Sequence, residues 1–326
     1  MDFELSDDQI ALQEAARDLL DGLSDPARVR AHLASGDPYD AKLWSAMVEQ
    51  GWLGVALPED RGGLGVGWVE AAVLLEEIGR HTAPAPFLPT LLALDALASG
   101  GADDWVGRLV EGSAVGCVAW SRSPDAVTAE PSASGDGWTL RGRPDPVIGA
   151  SAADVAVVWT PTGVFAVDLG AVGRPDPVPA MDGTRSVAWL PLEDAPAVRL
   201  GDEGAATALL DRGAVGASAE MLGGAARALE MTAQYAKDRV QFGQPIGSFQ
   251  AVKHRCADMV VDLEGMRSTA WYGAWAIASG DREASVAASA AKVWCSDAAK
   301  RVMASALQVH GGIGFTWEHD LHLYLK

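Results

Sequence analysis

Cysteine is scarce: Cys117, Cys256 and Cys295 are the only three in 326 residues. The number is odd, the spacings are long and no CxxC occurs, so neither a disulfide framework nor a cysteine zinc site is supported. Basic residues are also few. Lys and Arg total 25 against 44 Asp and Glu, a formal charge of −19. That balance argues against a broad basic face for nucleic acid and against a polybasic membrane anchor, and it favours solubility. No run of about 18 apolar residues exists, so nothing reads as a membrane-spanning helix. The opening MDFELSDDQI is acidic and has no apolar stretch. No secretory signal is read there, and the expected setting is cytoplasmic. The six histidines form no HExxH pair. His319 and His322 are three apart, but two solvated imidazoles are the plainer reading, and no metal site is expected.

What is present is ordinary globular composition, 49% apolar and 21% charged. The length suits about two domains of ~150 residues or one large unit. Proline divides the chain. Six of the 17 precede residue 124, ten fall from Pro124 to Pro196, and only Pro245 lies beyond. Proline breaks helices and weakens central strands, so three segments of different kind are expected: 1–112, 113–200 and 201–326.

The first segment reads as helical. Ser6 with Gln9 is a capping-box start, and Ile10, Leu12, Ala16, Leu19 and Leu20 then form an apolar face. Leu43, Met47, Val48 and Trp52 suggest a second helix ending near Gly51. ALPEDRGGLGVG (56–67) is a glycine-dense loop, followed by a helical pattern from Trp68 to Gly79 and another over 84–100. The second segment reads as short strands at 114–120, 137–142, 154–160, 163–169 and 185–192, predicting an antiparallel sheet domain. The third is helical again. Ala205 to Lys237 has no proline, and apolar residues recur at three and four spacing through 249–266 and 287–307, predicting long helices packed on each other. No βαβ alternation occurs, so GGLGVG (62–67) is read as a turn needing positive φ rather than a dinucleotide fingerprint.

Two patches carry candidate chemistry. In YAKDRVQFGQPIGSFQ (235–250) a long helix ends near Arg239, and a new one starts near Ser248 after a turn with Gly243, Pro245 and Gly247. Arg239 is a cation at a helix–helix corner, suited to bidentate phosphate binding, with Gln241 and Gln250 as amide donors nearby. The plain alternative is an arginine that caps a helix C-terminus. In ALQVHGGIGFTWEHD (306–320) a helix ends at Gly-Gly, where backbone can approach a ligand, flanked by Gln308 and His310. A glycine helix cap is the alternative there.

Together with FELSDDQIALQEAARDLL and ALPEDRGGLGVG, these motifs stand in an order and spacing that resembles the acyl-CoA dehydrogenase family over nearly the whole chain. The resemblance implies a mainly α fold with a small β domain: an N-terminal helical domain, a middle β-barrel-like domain and a C-terminal four-helix bundle. It implies FAD, acyl-CoA thioesters, an electron-transfer acceptor and association through the C-terminal helices, where one subunit helps hold its neighbour's FAD. Carried over by residue, Arg239 and Gln241 match the positions at the FAD pyrophosphate. Phe249 and Gln250 match the next contacting pair. Gln308, Val309, His310, Gly311 and Gly312 match the stretch receiving the adenosine end.

The rest of the family site departs from the pattern. Where the family holds the isoalloxazine ring, this chain reads AWSRSPDAV (119–127) and PDPVIGA (144–150). Pro146 has no N–H, and Val147 and Ile148 have no hydroxyl. The family's base is a Glu carboxylate. One of its positions matches Gly213, the next family position, commonly an Arg, matches Ala214, and the other base position lies about nine residues past Lys326. Glu220 is a weak substitute, on the Gly213 face but roughly 10 Å along the helix. The expectation is therefore an acyl-CoA dehydrogenase subunit that lacks its own complete site. It resembles the short subunits of heterotetrameric actinobacterial enzymes for steroid side chains and acts with a second dehydrogenase-like subunit in a heterotetramer or dimer. A self-sufficient homo-oligomer and a flavin-free scaffold are the alternatives.

Overall fold

Helix formation begins where the capping box stands. The Ser6 hydroxyl accepts from the Gln9 N–H at 3.2 Å, and the Gln9 side chain accepts from the Ser6 N–H at 3.0 Å. The computed structural model describes residues 4–132 and 137–326, so Phe3 of the first motif lies outside the described residues. Six helices come first: α1 (Asp7–Leu23), α2 (Pro26–Ser35), α3 (Ala41–Glu49), α4 (Trp68–Arg80), α5 (Phe87–Ser99) and α6 (Asp103–Val110). Sequence patterning passed over α2, although Pro26 as its first residue is a helix-start signal. The Asp40 carboxylate caps α3 by accepting from the Lys42 and Leu43 N–H groups.

The middle stretch holds β1 (Gly116–Ala119), β2 (Val127–Pro131), β3 (Trp138–Gly142), β4 (Val147–Ile148), β5 (Val155–Thr160) and β6 (Gly163–Asp168). The short α7 (Leu169–Val172) follows, then β7 (Pro177–Val178), β8 (Val187–Ala188) and β9 (Leu192–Gly201). Six strands run in the order β1-β5-β6-β9-β3-β2, and β4-β8-β7 form a second sheet. Both enclose one core containing Val127, Leu140, Val147, Val158 and Phe165.

Two expectations are corrected here. The sheet is not wholly antiparallel, because β1 pairs with β5 in parallel, Gly116 opposite Val155. The chain makes the long excursion through β2, β3 and β4 that a parallel pair requires. The run 185–192 is not one strand either: Val187 and Ala188 pair as β8, the chain leaves the sheet, and Leu192 already belongs to the long strand β9. Pro196 hid it, since proline is rare in central strands. Pro196 is tolerated because it pairs only with Thr139 of β3, while β6 takes up β9 from Val198 onward. Asp194, at φ +57, bends the strand near the register shift against β3.

The last stretch holds α8 (Glu203–Asp238), the hairpin β10 (Val240–Gln241) and β11 (Gln244–Pro245), α9 (Gln250–Ala278), α10 (Ala284–His310) and α11 (Leu321–Leu325). The order helices, strands, helices is the expected one. The contacts divide the chain differently, into two compact units. One comprises residues up to Ala27, Ala72–Ala83 and Ala214–Lys326; the other comprises Arg28–Ala71 and Pro84–Gly213.

In the first unit α9 and α10 pack along buried Ala287, Ala291 and Ala298. The Trp294 indole lies so close over Gly265 that a Cβ there would stand 2.4 Å from its Nε1. Arg301 clasps the Asp262 carboxylate through Nε and Nη2. The same unit contains the closest helix crossing. A Cβ on Gly79 of α4 would meet the Glu220 carbonyl oxygen at 2.0 Å, and one on Gly223 of α8 would meet the Glu76 carbonyl oxygen at 1.8 Å. Around it run ion pairs the apolar pattern did not foretell. Glu77, 1% exposed, accepts from Nε and Nη2 of Arg17 on α1, and Glu76, 5% exposed, is held by Arg267 of α9 at 3.1 Å. Burial pushes the Glu76 carboxyl up, against the lowering pull of Arg267.

Gly223→Ala forces α4 and α8 apart and lowers unfolding stability by about 2 kcal/mol or more, the cost of overpacking a tight contact. Urea midpoints of the two proteins, compared at equal m, measure this. Arg17→Met strands the buried Glu77 carboxylate and costs about 2–3 kcal/mol, less than a fully enclosed pair because Arg17 is partly solvated. The same urea comparison measures that loss.

Candidate functional site

The first unit builds a corner where α8 ends. Arg239 is the first residue past the helix, and its N–H still reaches the Tyr235 carbonyl at 2.9 Å. The Ile246 N–H returns to the Arg239 carbonyl at 2.8 Å, closing the β10–β11 hairpin. Gly247 lies against α8, where a Cβ would come within 2.9 Å of the Ala236 carbonyl. The backbone of Arg239 is therefore fixed while its side chain is exposed, and no carboxylate among the described residues pairs with it. Gln241 is exposed, its amide donating to the Val240 carbonyl. Phe249 stands at the N-terminus of α9, and Gln250 opens that helix with its side chain exposed.

α10 ends beside the same corner. His310, its last residue, stacks on Tyr235 with ring centroids 4.6 Å apart. Gln308 is exposed. Val309 and His310 are 8% and 3% exposed, so their side chains face the protein interior and only their backbone is placed to meet a ligand. Gly311 takes φ +61 and ψ −138, a backbone state essentially reserved for glycine. A Cβ on Gly311 or Gly312 would meet nothing within 4 Å, so this backbone is open to approach. The two sequence motifs thus meet through Tyr235 and His310.

The second unit contains the positions that departed from the family pattern, except Ala214, which belongs to the first. Gly213 of α8 faces Leu92 of α5 at ordinary contact distance. Its neighbour Arg212 pairs with Asp95 at 2.9 Å, and burial still pushes the Asp95 carboxyl up. The segments 119–127 and 144–150 are tied to each other. Asp145 accepts from the Arg122 backbone N–H and from Arg122 Nε, both at 3.2 Å. The Arg122 N–H, more than its guanidinium, holds the Asp145 carboxyl below its ordinary value. Val147 is buried, Ile148 is 48% exposed, and Arg143 lies over the Trp189 ring. Glu220, in the first unit, lends its backbone to the helix crossing at Gly79. No thiol substitutes for a base, since burial alone pushes Cys117 up to about 12. No cluster able to hold a metal ion occurs among the described residues.

Comparison with known proteins decides the family. The acyl-CoA dehydrogenase N-terminal domain matches residues 6–114, and the acyl-CoA dehydrogenase C-terminal domain matches residues 203–326. The chain belongs to the acyl-CoA dehydrogenase family. These are FAD oxidoreductases acting on CH–CH bonds. The acyl-CoA dehydrogenase IpdE2 of Mycolicibacterium smegmatis is 35% identical over 99% of this chain and 92% of its own length. Among solved structures, the ChsE4–ChsE5 complex from Mycobacterium tuberculosis superposes with a TM-score of 0.92 at 31% identity, covering 99% of this chain and 92% of that one. A variant of the steroid ACAD Tcur3481–Tcur3483 gives 0.90 at 35% identity, covering 97% and 90%.

The family cofactor fits one half of what this chain offers. An exposed guanidinium without a carboxylate partner, exposed amides at Gln241, Gln250 and Gln308, and open glycine backbone suit an anionic dinucleotide. The 119–127 and 144–150 segments do not suit a flavin ring in the family manner. Pro146 offers no N–H, and the Arg122–Asp145 bridge links the two segments directly.

Sequence reading missed Phe242. It sits at the hairpin tip with φ +53, is 93% exposed, and meets Phe249 edge-on at 6.1 Å. A bulky residue just before a turn glycine was the available signal. Phe315 and Trp317, 74% and 65% exposed beyond the glycine turn, were missed as well. A strained, exposed aromatic points to contact with another molecule. Phe242→Gly relieves the strain and raises the urea stability of the isolated chain by up to about 1 kcal/mol, read as a shift in the urea midpoint.

Proposed function

We propose that this chain is one subunit of a hetero-oligomeric acyl-CoA dehydrogenase that performs α,β-dehydrogenation of an acyl-CoA thioester, and that it supplies the partner-side contacts to FAD. The observation that carries this reading is the exposed Arg239 beside the open Gly311–Gly312 turn; the reading takes Gly213 as one of the two family base positions. FAD held there would supply the acceptor for the substrate's β-hydrogen as hydride, with the α-proton going to a base. This chain's own part is binding. Arg239 takes the pyrophosphate charge, Gln241, Phe249 and Gln250 line the next stretch, and residues 308–312 receive the adenosine end through their backbone and Gln308. The base and the flavin-ring pocket come from the partner subunit.

The outer faces of α9 and α10 support association. Val261, Val286 and Val293 are 67–69% exposed there, an apolar display suited to helix packing between subunits. The names of the similar proteins point to a steroid-derived or fatty acyl group as substrate, with an electron-transfer acceptor taking the electrons onward. The setting proposed is cytoplasmic; among the described residues no helix is long and apolar enough to cross a membrane.

Visible absorption tests the reading. The purified chain alone is expected to be colourless, with flavin appearing only when it is co-purified with a dehydrogenase-like partner. Stoichiometric FAD and turnover in the lone chain would establish a self-sufficient homo-oligomer instead. In the complex, Arg239→Ala weakens flavin retention roughly 10- to 100-fold, the worth of a charge-assisted contact, without moving the melting temperature of the chain alone. Unchanged flavin content and activity in that variant would leave only a scaffold role.

A further inference from the structure

Gln308 to Gly312 resembles the family as one stretch, yet His310, like Val309, is buried while Gln308 and Gly312 are exposed. Its Nδ1 lies 2.8 Å from the Ala306 carbonyl. A carbonyl only accepts, so Nδ1 carries the proton of the neutral ring and Nε2 keeps the lone pair. Nε2 is buried and has no hydrogen-bond partner. One side of the ring stacks on Tyr235 at 4.6 Å, and His319 lies 4.5 Å away at an interplanar angle of 60°. Gly314 of the turn packs on the base of the same side chain: a Cβ on that glycine would stand 3.0 Å from the His310 Cβ. The imidazole thus lies between α8 and the segment that follows the 311–315 turn.

We propose that His310 is a positioning residue that seats the Gly311–Gly312 turn only in its neutral form, so that the turn loosens on acidification. A proton on Nε2 creates a buried cation with no acceptor, beside a second imidazole. The titratable groups facing the ring are the Tyr235 phenol from α8 and the His319 imidazole from the segment after the turn; the turn contributes only Gly314. No carboxylate among the described residues offsets the charge. Burial lowers the proton affinity of His310 below the ordinary histidine value, the Ala306 carbonyl opposes this, and His319 adds to it. The sign follows. The unfolded chain binds the proton more readily, so the stabilising contribution is complete above the unfolded value near 6.5 and is lost as pH falls from there through the lower folded value. The consequence for flavin holding rests on the proposed function; the behaviour of the turn does not.

Hydrogen exchange of the full chain tests this without flavin. After correction for intrinsic rates, amides over 311–316 are expected to exchange at least tenfold faster at pH 5.5 than at pH 7.5. In His310→Phe, which keeps the stack but takes no proton, the pH dependence disappears while His319→Gln keeps it. A wild-type turn with pH-independent protection overturns the proposal, as does a His310→Phe turn that still loosens in acid. Should that variant fail to fold, imidazole NMR of the wild type decides. A His310 titrating at or above 6.5 overturns the proposal, and one well below supports it. Flavin retention by the co-purified complex at the two pH values is a separate readout: a turn that loosens with no loss of FAD refutes the flavin role of the turn while leaving the switch intact.

Discussion

The first unit depends on two adjacent carboxylates that should be hard to bury. Glu76 and Glu77 lie on α4 almost without exposure. Each is held by an arginine from a different helix, Arg267 of α9 and Arg17 of α1. Buried carboxylates are tolerated only with good partners. The pair therefore specifies where α1 and α9 can stand around α4 more sharply than apolar packing would. Gly79 and Gly223 complete the arrangement by letting α4 and α8 touch backbone to backbone. With α8 so placed, its far end delivers Arg239 to the corner where α10 terminates.

Much of this was legible because local chemistry announces itself. The capping box at Ser6, the proline-free helix from Ala205 and the Gly-Gly end of α10 are short-range signals, and the structure follows them. What escaped is long-range. Glu76 and Glu77 interrupt an apolar pattern, and nothing nearby in sequence says that arginines 17 and 267 await them. β9 escaped because Pro196 argues against a strand unless one knows that only one of its sides is paired at that point. The parallel β1–β5 pair escaped because strand direction is set by topology, not by residue type.

The candidate site shows the same division. Residue types singled out Arg239 and Gln308, and both side chains are exposed in the structure. They did not distinguish His310, whose side chain looks inward, from Gln308 two residues earlier, which looks outward. A stretch of helix end presents alternate faces, and a motif read as a string treats them alike. Phe242 escaped for a related reason: its significance lies in a backbone angle, not in its identity. In the second unit, the Arg122–Asp145 bridge could be seen only once both segments were in space.

The partition of the chain also has a consequence in time. Glu76 and its partner Arg267 are separated by 191 residues. At synthesis rates of about 5–20 residues per second, roughly 10–40 s pass between the appearance of one and the other. The second unit, complete by Gly213, has all its residues before then, while α1 and α4 wait in solvent with their acids hydrated. On the growing chain the first unit therefore cannot close until α8 and α9 have been made.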